Sequence, residues 1–387
     1  MISFDYKNPT RLIFGKDSIK KVESILKELD VHSVMMVSGK SAARLGILDE
    51  IKNACDKNNI HFVHCDQVVA NPKIELVREL ISLGRKEKTD FIIAVGGGSP
   101  IDTAKSIAMG IPYDGDVWDF FEGKATPKSA VSIGAISTIP ASGSESSNAT
   151  IMNNGLYKKG YEDDMLIPKF AILDPSYTLT LPANQTSAGC ADIMSHLLER
   201  YFTTTENTDV TDYLIVGAMK ALIKNSVIVV DDPQNFAARS EIQLLATIAH
   251  NGWLDLGRQT DWASHRIEHE LSGQYNITHG EGMAVVLIAY IKYMAERLPK
   301  KMADLANLLF DIDYNGHSEK EMALLLAEKL KEFFKKLNLK TTLTEFGIGK
   351  DHFEEMAMRA TNNDTSTFGH YIPLHKKEFI EILEMAL

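Results

Sequence analysis

The chain has 387 residues, 44% of them hydrophobic and 24% charged, and a formal charge of −11. A single core stops growing at roughly 250–300 residues, so the length predicts two domains. The acidic balance, with no basic block, argues against a nucleic-acid backbone or an anionic membrane as the main partner.

Cys55, Cys65 and Cys190 form no CxxC motif, which predicts neither a disulfide framework nor a zinc ribbon. The N-terminus shows no signal-peptide pattern, and no apolar run approaches the ~20 residues that span a bilayer. The expectation is a cytoplasmic protein.

In chain order, short β-rich runs alternate with helical patterns. RLIFG (11–15), SVMMVSG (33–39), HFVHCDQV (61–68), FIIAVGGGS (91–99), AVSIGAISTIP (130–140) and KFAILDP (169–175) read as strands. KDSIKKVESILKEL, a segment through Ile51 and IELVRELISLGRKEK (74–88) read as helices between them. This alternation predicts a doubly wound parallel sheet. A polar stretch from Ser144 to Leu166, with Asn153-Asn154-Gly155, reads as a hairpin. Beyond Leu181-Pro182 nearly every apolar segment has a 3.6-residue period. The predicted fold class is therefore α/β plus all-α: a Rossmann-like dinucleotide-binding domain over 1–182 and a helical, metal-binding and catalytic domain over 183–387.

Gly96-Gly97-Gly98-Ser99 follows a buried strand and opens a helix, with Ser99 expected as N-cap, Pro100 at N1 and Asp102 at N3. Glycines admit a phosphate close to the backbone, and the first-turn N–H groups point at it. The run does not fit G-x-G-x-x-G, because the third glycine position falls on Ile101. A second small-residue turn offers the hydroxyls of Thr138, Ser142 and Ser144. Ser38-Gly39-Lys40-Ser41 ends the second strand without the acid that reads an adenosine ribose. Small, donor-rich and basic groups there suit a 2′-phosphate and favour NADP(H) over NAD(H).

Asp192 and His196 stand at i,i+4, as do His265 and His269, and His279 follows fourteen residues after His265. Gly273 is the expected helix stop that turns the chain back toward His265. Isolated pairs of this kind are common on solvated faces. Here, however, Asp192 and His196 sit among Ala191, Ile193, Met194, Leu197 and Leu198, where an unpaired buried carboxylate costs several kcal/mol. One divalent cation held by Asp192, His196 and two of the three later histidines satisfies them together. Nitrogen and oxygen donors without thiolate suit Fe(II), Zn(II), Co(II) or Ni(II).

NPTRLIFGKDSI, GGGSPIDTAK (96–105), TIPASGSE (138–145), AILDP (171–175), GCADIMSHLLE (189–199), DWASHRIEHELSG (261–273) and THGEGMAV (278–285) carry a resemblance over essentially the whole chain. It resembles the iron-containing (group III) alcohol dehydrogenases, in the branch of NADP(H)-dependent butanol dehydrogenases and aldehyde reductases, on a dehydroquinate synthase-like fold. The resemblance implies interconversion of primary alcohols and aldehydes by hydride transfer. It assigns Asp192, His196, His265 and His279 as metal ligands and His269 as a proton relay. It places pyrophosphate on Gly97, Gly98 and Ser99, further cofactor contacts at Thr138, Ser144 and Leu181, and a nicotinamide-ribose lysine at Lys158 or Lys159. It also implies a homodimer.

Two other readings compete. HRIEH (265–269) matches the H-x-x-E-H metalloprotease pattern with Glu268 as general base. A dehydroquinate-synthase-like lyase on the same fold would need a basic cluster, and basic residues are scattered between Thr186 and Leu287.

Overall fold

A computed structural model describes residues 1–387. The strands are β1 (Arg11–Phe14), β2 (Ser33–Ser38), β3 (His61–Cys65), β4 (Phe91–Gly96), β5 (Ser132–Ser137), β6 (Ala149–Asn154), β7 (Tyr157–Glu162) and β8 (Phe170–Leu173). Six form an all-parallel sheet in the order β1-β8-β5-β4-β2-β3, and β6 pairs antiparallel with β7 as the predicted hairpin.

Alternation along the buried strands divides the core into two faces. Val34, Met36, Phe91, Ile93 and Val95 face α1 (Val22–Glu28) and α2 (Ile47–Lys57). Met35, Val37, Ile92 and Ala94 face α3 (Ile74–Lys86) and α4 (Gly98–Gly110). A sheet covered on both faces keeps its strands apolar throughout, which is why they read as continuous runs. The chain winds outward from β2 to β3, then crosses back to lay β4 on the other side of β2. The order reverses there, and in open α/β sheets ligands bind at the carboxyl ends of the strands flanking such a reversal.

The second unit is built from α5 (Ala183–Tyr201), α6 (Asp209–Asp231), α7 (Phe236–His250), α8 (Ala263–Tyr275), α9 (His279–Ala295), α10 (Lys300–Phe310), α11 (Glu319–Lys336), α12 (Phe353–Ala360) and α13 (Lys376–Met385). Contacts divide the chain into Lys7–Leu181 with Ala246–Asn251, and Met1–Tyr6 with Pro182–Leu245 and Gly252–Leu387. Within the helical unit, α5 is buried along its whole length from Thr186 to Tyr201. It packs against α9 so closely that a Cβ on Gly280 would lie 1.9 Å from the carbonyl oxygen of Ala188.

Three sequence expectations need correction. The helix after β4 starts earlier than predicted: Gly97 is the N-cap and Gly98 the first helical residue, so Ser99 lies inside the first turn and Asp102 beyond it. The strand ends at Gly96, and the bare glycine backbone turns at once into the helix. Gly273 does not stop α8, which runs on to Tyr275 and ends at Asn276, whose φ of 53° supplies the left-handed cap. Finally, α6 is one helix long and apolar enough to cross a membrane by length and composition alone. It carries Lys220 and Lys224 and buries one face, with Ile215, Val216, Met219, Leu222 and Val229.

Candidate active site

In the sheet unit, the turns expected to meet a cofactor cluster at the carboxyl ends of β2, β4 and β5, which are neighbours. Gly96 to Ser99 leaves β4, and Thr138 begins the turn after β5, its N–H donating to the Gly96 carbonyl at 2.9 Å. Gly98 has no side chain where Ser142 comes closest: a Cβ would lie 2.6 Å from Ser142 Oγ. The Ser142 hydroxyl accepts from the Ser144 N–H at 3.3 Å. Gly39 and Ser41 are half-buried and Lys40 is exposed, while the buried Ser38 hydroxyl pairs with His64 Nε2 at 2.9 Å. Leu181 is half-buried at the end of the unit.

Asp102 and Ser144 lie beneath this surface. Ser144 Oγ donates to Asp102 Oδ1 at 2.6 Å, and the Ile151 N–H donates to Oδ2 at 3.3 Å. Lys105, fully buried, donates to the Ser147 and Ala149 carbonyls at 2.8 and 2.7 Å and to Ser144 Oγ at 3.0 Å. Burial pushes the Asp102 carboxyl up to about 6, against the pull of Lys105 and its hydrogen bonds. Burial also lowers Lys105 to about 8, offset by Asp102 and Glu145. This network ties α4 to the chain between β5 and β7, and sequence reading passed over Lys105. The tandem lysines separate in space: Lys158 is buried with Nζ 3.5 Å from Asn71 Oδ1, whereas Lys159 Nζ lies 5.6 Å from the Tyr157 ring.

In the helical unit, α5, α8 and α9 bring four side chains together. Around Asp192 Oδ1 lie His279 Nε2 at 3.5 Å, His196 Nε2 at 3.6 Å and His265 Nε2 at 3.9 Å. Metal–nitrogen and metal–oxygen bonds of roughly 2.0–2.2 Å give a tetrahedron edges of about 3.4 Å, so this spacing fits one small ion. The donor atoms of Asp192, His265 and His279 all lie within 4.8 Å of one another. Asp192 Oδ1 and His265 Nε2 are buried without a hydrogen-bond partner. Buried polar atoms in native proteins are nearly always satisfied, so this pair points to a cation.

Around this cluster, His196 and His265 stack at 4.9 Å, and Trp262 stands edge-on to His265 at 5.1 Å. Trp262 has a φ of 73°, an uncommon strain for a bulky residue, in the turn that delivers His265. His269 is half-buried, its ring 5.7 Å from that of His279 and 6.3 Å from that of His265.

Glu199, missed in the sequence, accepts from the Ser264 N–H at 2.6 Å and from His265 Nδ1. Its spacing from Asp192 and His196, seven and three residues, puts it on the same helix face and was the available signal. Burial opposes charge on His265, but the carboxylates of Glu199, Asp192 and Glu268 outweigh it and raise its pKa. Glu268, the general base of the protease reading, is fully buried and accepts from the Ser272 hydroxyl and from His279 Nδ1. It faces a histidine, not solvent.

A doubly wound sheet with small-residue turns at its order reversal, in one chain with a helical unit that carries a carboxylate–imidazole cluster, defines a nucleotide-linked metal dehydrogenase as the class. Two family descriptions match the chain: iron-containing alcohol dehydrogenase over residues 9–175, and the C-terminal region of that family over 186–387. The chain belongs to the iron-containing alcohol dehydrogenase family and is an oxidoreductase. It is 35% identical over 389 residues to the NADH-dependent butanol dehydrogenase A of Clostridium acetobutylicum, with 100% of both chains covered. It is 29% identical to the NADPH-dependent aldehyde reductase YqhD of Escherichia coli, over 90% of each. The crystal structure of NADH-dependent butanol dehydrogenase A from Thermotoga maritima superposes with a TM-score of 0.95 at 31% identity, covering 100% of this chain and 99% of that one. Relatives thus use either nicotinamide cofactor, and the family replaces the protease and lyase readings.

Proposed function

We propose that this protein interconverts primary alcohols such as butanol and their aldehydes, using NADP(H) and one divalent ion, Fe(II) or Zn(II), with Co(II) and Ni(II) compatible. The convergence of three imidazoles on Asp192 Oδ1 carries the reading. Asp192, His196, His265 and His279 would hold the ion, which supplies Lewis acidity toward the alcohol or aldehyde oxygen. His269, next to two of these residues, is the candidate for moving the proton.

Gly96, Gly97, Gly98 and Ser99 would take the pyrophosphate on backbone N–H groups at the start of α4. Thr138, Ser142 and Leu181 would add contacts, with Asp102 and Ser144 supporting that surface from below. Of the two lysines, Lys158 is favoured for the nicotinamide ribose, because Lys159 is taken up by aromatic rings. The adenosine 2′-phosphate would meet Gly39, Lys40 and Ser41, with no carboxylate in that turn to repel it. Three free, buried cysteines fit a reducing cytoplasm. β1 lies at a sheet edge with Leu12 and Phe14 exposed, which suits a homodimer testable by light scattering.

Metal-free protein reconstituted in turn with Fe(II), Zn(II) and Co(II), then assayed for butanal reduction with NADPH, tests this function. The expected result is turnover with at least one metal and none without. Equal inactivity throughout would sink it.

A further inference from the structure

His265 and His279 present Nε2 toward Asp192 while a different glutamate holds each Nδ1. An imidazole offers the Nε2 lone pair only when the ring proton sits on Nδ1, and the partner of Nδ1 decides this. Glu199 and Glu268 are both fully buried. Each also bridges helices. Glu199, on α5, accepts from the Ser264 and His265 N–H groups at 2.6 and 3.2 Å and so closes the first turn of α8. Glu268, on α8, reaches the first residue of α9 and takes the Ser272 hydroxyl with its other oxygen. The backbone makes room for it: a Cβ on Gly282 would lie 2.6 Å from Glu268 Oε1.

We infer that Glu199 and Glu268 are positioning residues for the bound ion. They fix the tautomer and direction of His265 and His279 and set the spacing of the three helices that carry the four ligands. This rests on the metal reading proposed above. It gives the glutamate of HRIEH a use unlike that of a protease base, and it explains the second glycine of HGEG as clearance for that carboxylate. Two more carboxylates near Asp192 also help compensate a divalent charge in a dry site.

The test is Zn(II) affinity of the full chain by competition with a chelating indicator, for wild type, Glu199→Gln, Glu268→Gln and Gly282→Ala. Wild type is expected to bind one Zn(II), and each glutamine variant to bind it about 10–100-fold more weakly. Gly282→Ala touches no ligand yet is expected to weaken Zn(II) in the same direction. In the Glu268→Gln background it should add less than it does alone, because both act through one carboxylate. Glu268→Gln and Gly282→Ala keep the test open if Glu199→Gln does not fold. A lowered melting temperature with unchanged Zn(II) affinity in the folded variants would overturn the inference and leave the metal reading standing. A wild type that binds no Zn(II), Fe(II) or Co(II) would remove that reading itself.

Discussion

Gly280 and Ala188 touch backbone to backbone: a Cβ on the glycine would fall 1.9 Å from the alanine carbonyl oxygen, where no side chain fits. That contact sets the distance between α5, which carries Asp192 and His196, and α9, which begins with His279. Gly280→Ala must push the helices apart. Overpacking of this kind costs about 1–3 kcal/mol and here displaces a proposed ligand. The expected outcome is a lower melting temperature together with loss of stoichiometric metal, read by calorimetry and by elemental analysis of the same sample. Full metal content in a destabilised variant would show that His279 does not depend on this approach.

The histidines should separate by role. His265→Ala removes an Nε2 at 3.9 Å from Asp192 Oδ1 and leaves Glu199 buried without that ring. It should lose both metal and activity, with a stability cost of about 1–3 kcal/mol for the Glu199 oxygen that loses its ring partner. His269→Ala should retain metal and lose rate. Retained metal in the first variant or lost metal in the second would exchange the two assignments.

Cofactor choice should turn on Gly39. A side chain there meets the Val68 carbonyl oxygen at 3.3 Å, close but tolerable, so Gly39→Asp should fold. A carboxylate at the end of β2 would repel a 2′-phosphate and accept from ribose hydroxyls. The ratio of kcat/KM for NADPH over NADH should exceed one in the wild type and fall by at least about tenfold in the variant. Wild-type values that favour NADH would remove the 2′-phosphate reading.

How much of this was legible in the chain follows from which forces are local. Strands β2 and β4 announced themselves because a sheet buried on both faces demands an unbroken apolar run. Asp192 and His196 stood out as polar groups in an apolar helix. Glu199 was passed over although it shares their face, because a glutamate near a helix end is ordinarily solvated, and only the arrival of α8 buries it. Gly273 misled for a related reason: glycine usually ends helices, but the α8 cap went to Asn276, which also tolerates positive φ. The start of α4 was not legible from cap propensity, because the chain turns at Gly96, whose φ of 146° few side chains adopt, and Gly98 leaves no room for a side chain against Ser142.

The buried Asp102 and Lys105 pair should leave opposite marks on stability against pH. Asp102 is raised from 3.8 to about 6, so the folded state holds its proton more tightly than the unfolded state, and stability falls as pH rises between those values. At ~1.4 kcal/mol per unit this contribution is on the order of 3 kcal/mol. Lys105 is lowered from 10.5 to about 8, so the folded state holds its proton less tightly, and stability climbs as pH rises across that interval. Together they make the contribution of the pair smallest between about pH 6 and 8. Asp102→Asn should flatten the acid limb and, by removing the carboxylate that favours its charge, lower Lys105 further, starting the alkaline climb at lower pH. Lys105→Met should abolish that climb while costing about 1–3 kcal/mol for each carbonyl of Ser147 and Ala149 left without a donor. Urea titrations from pH 4 to 10 on wild type and both variants measure these effects. An acid limb that survives in Asp102→Asn would assign it to another carboxyl.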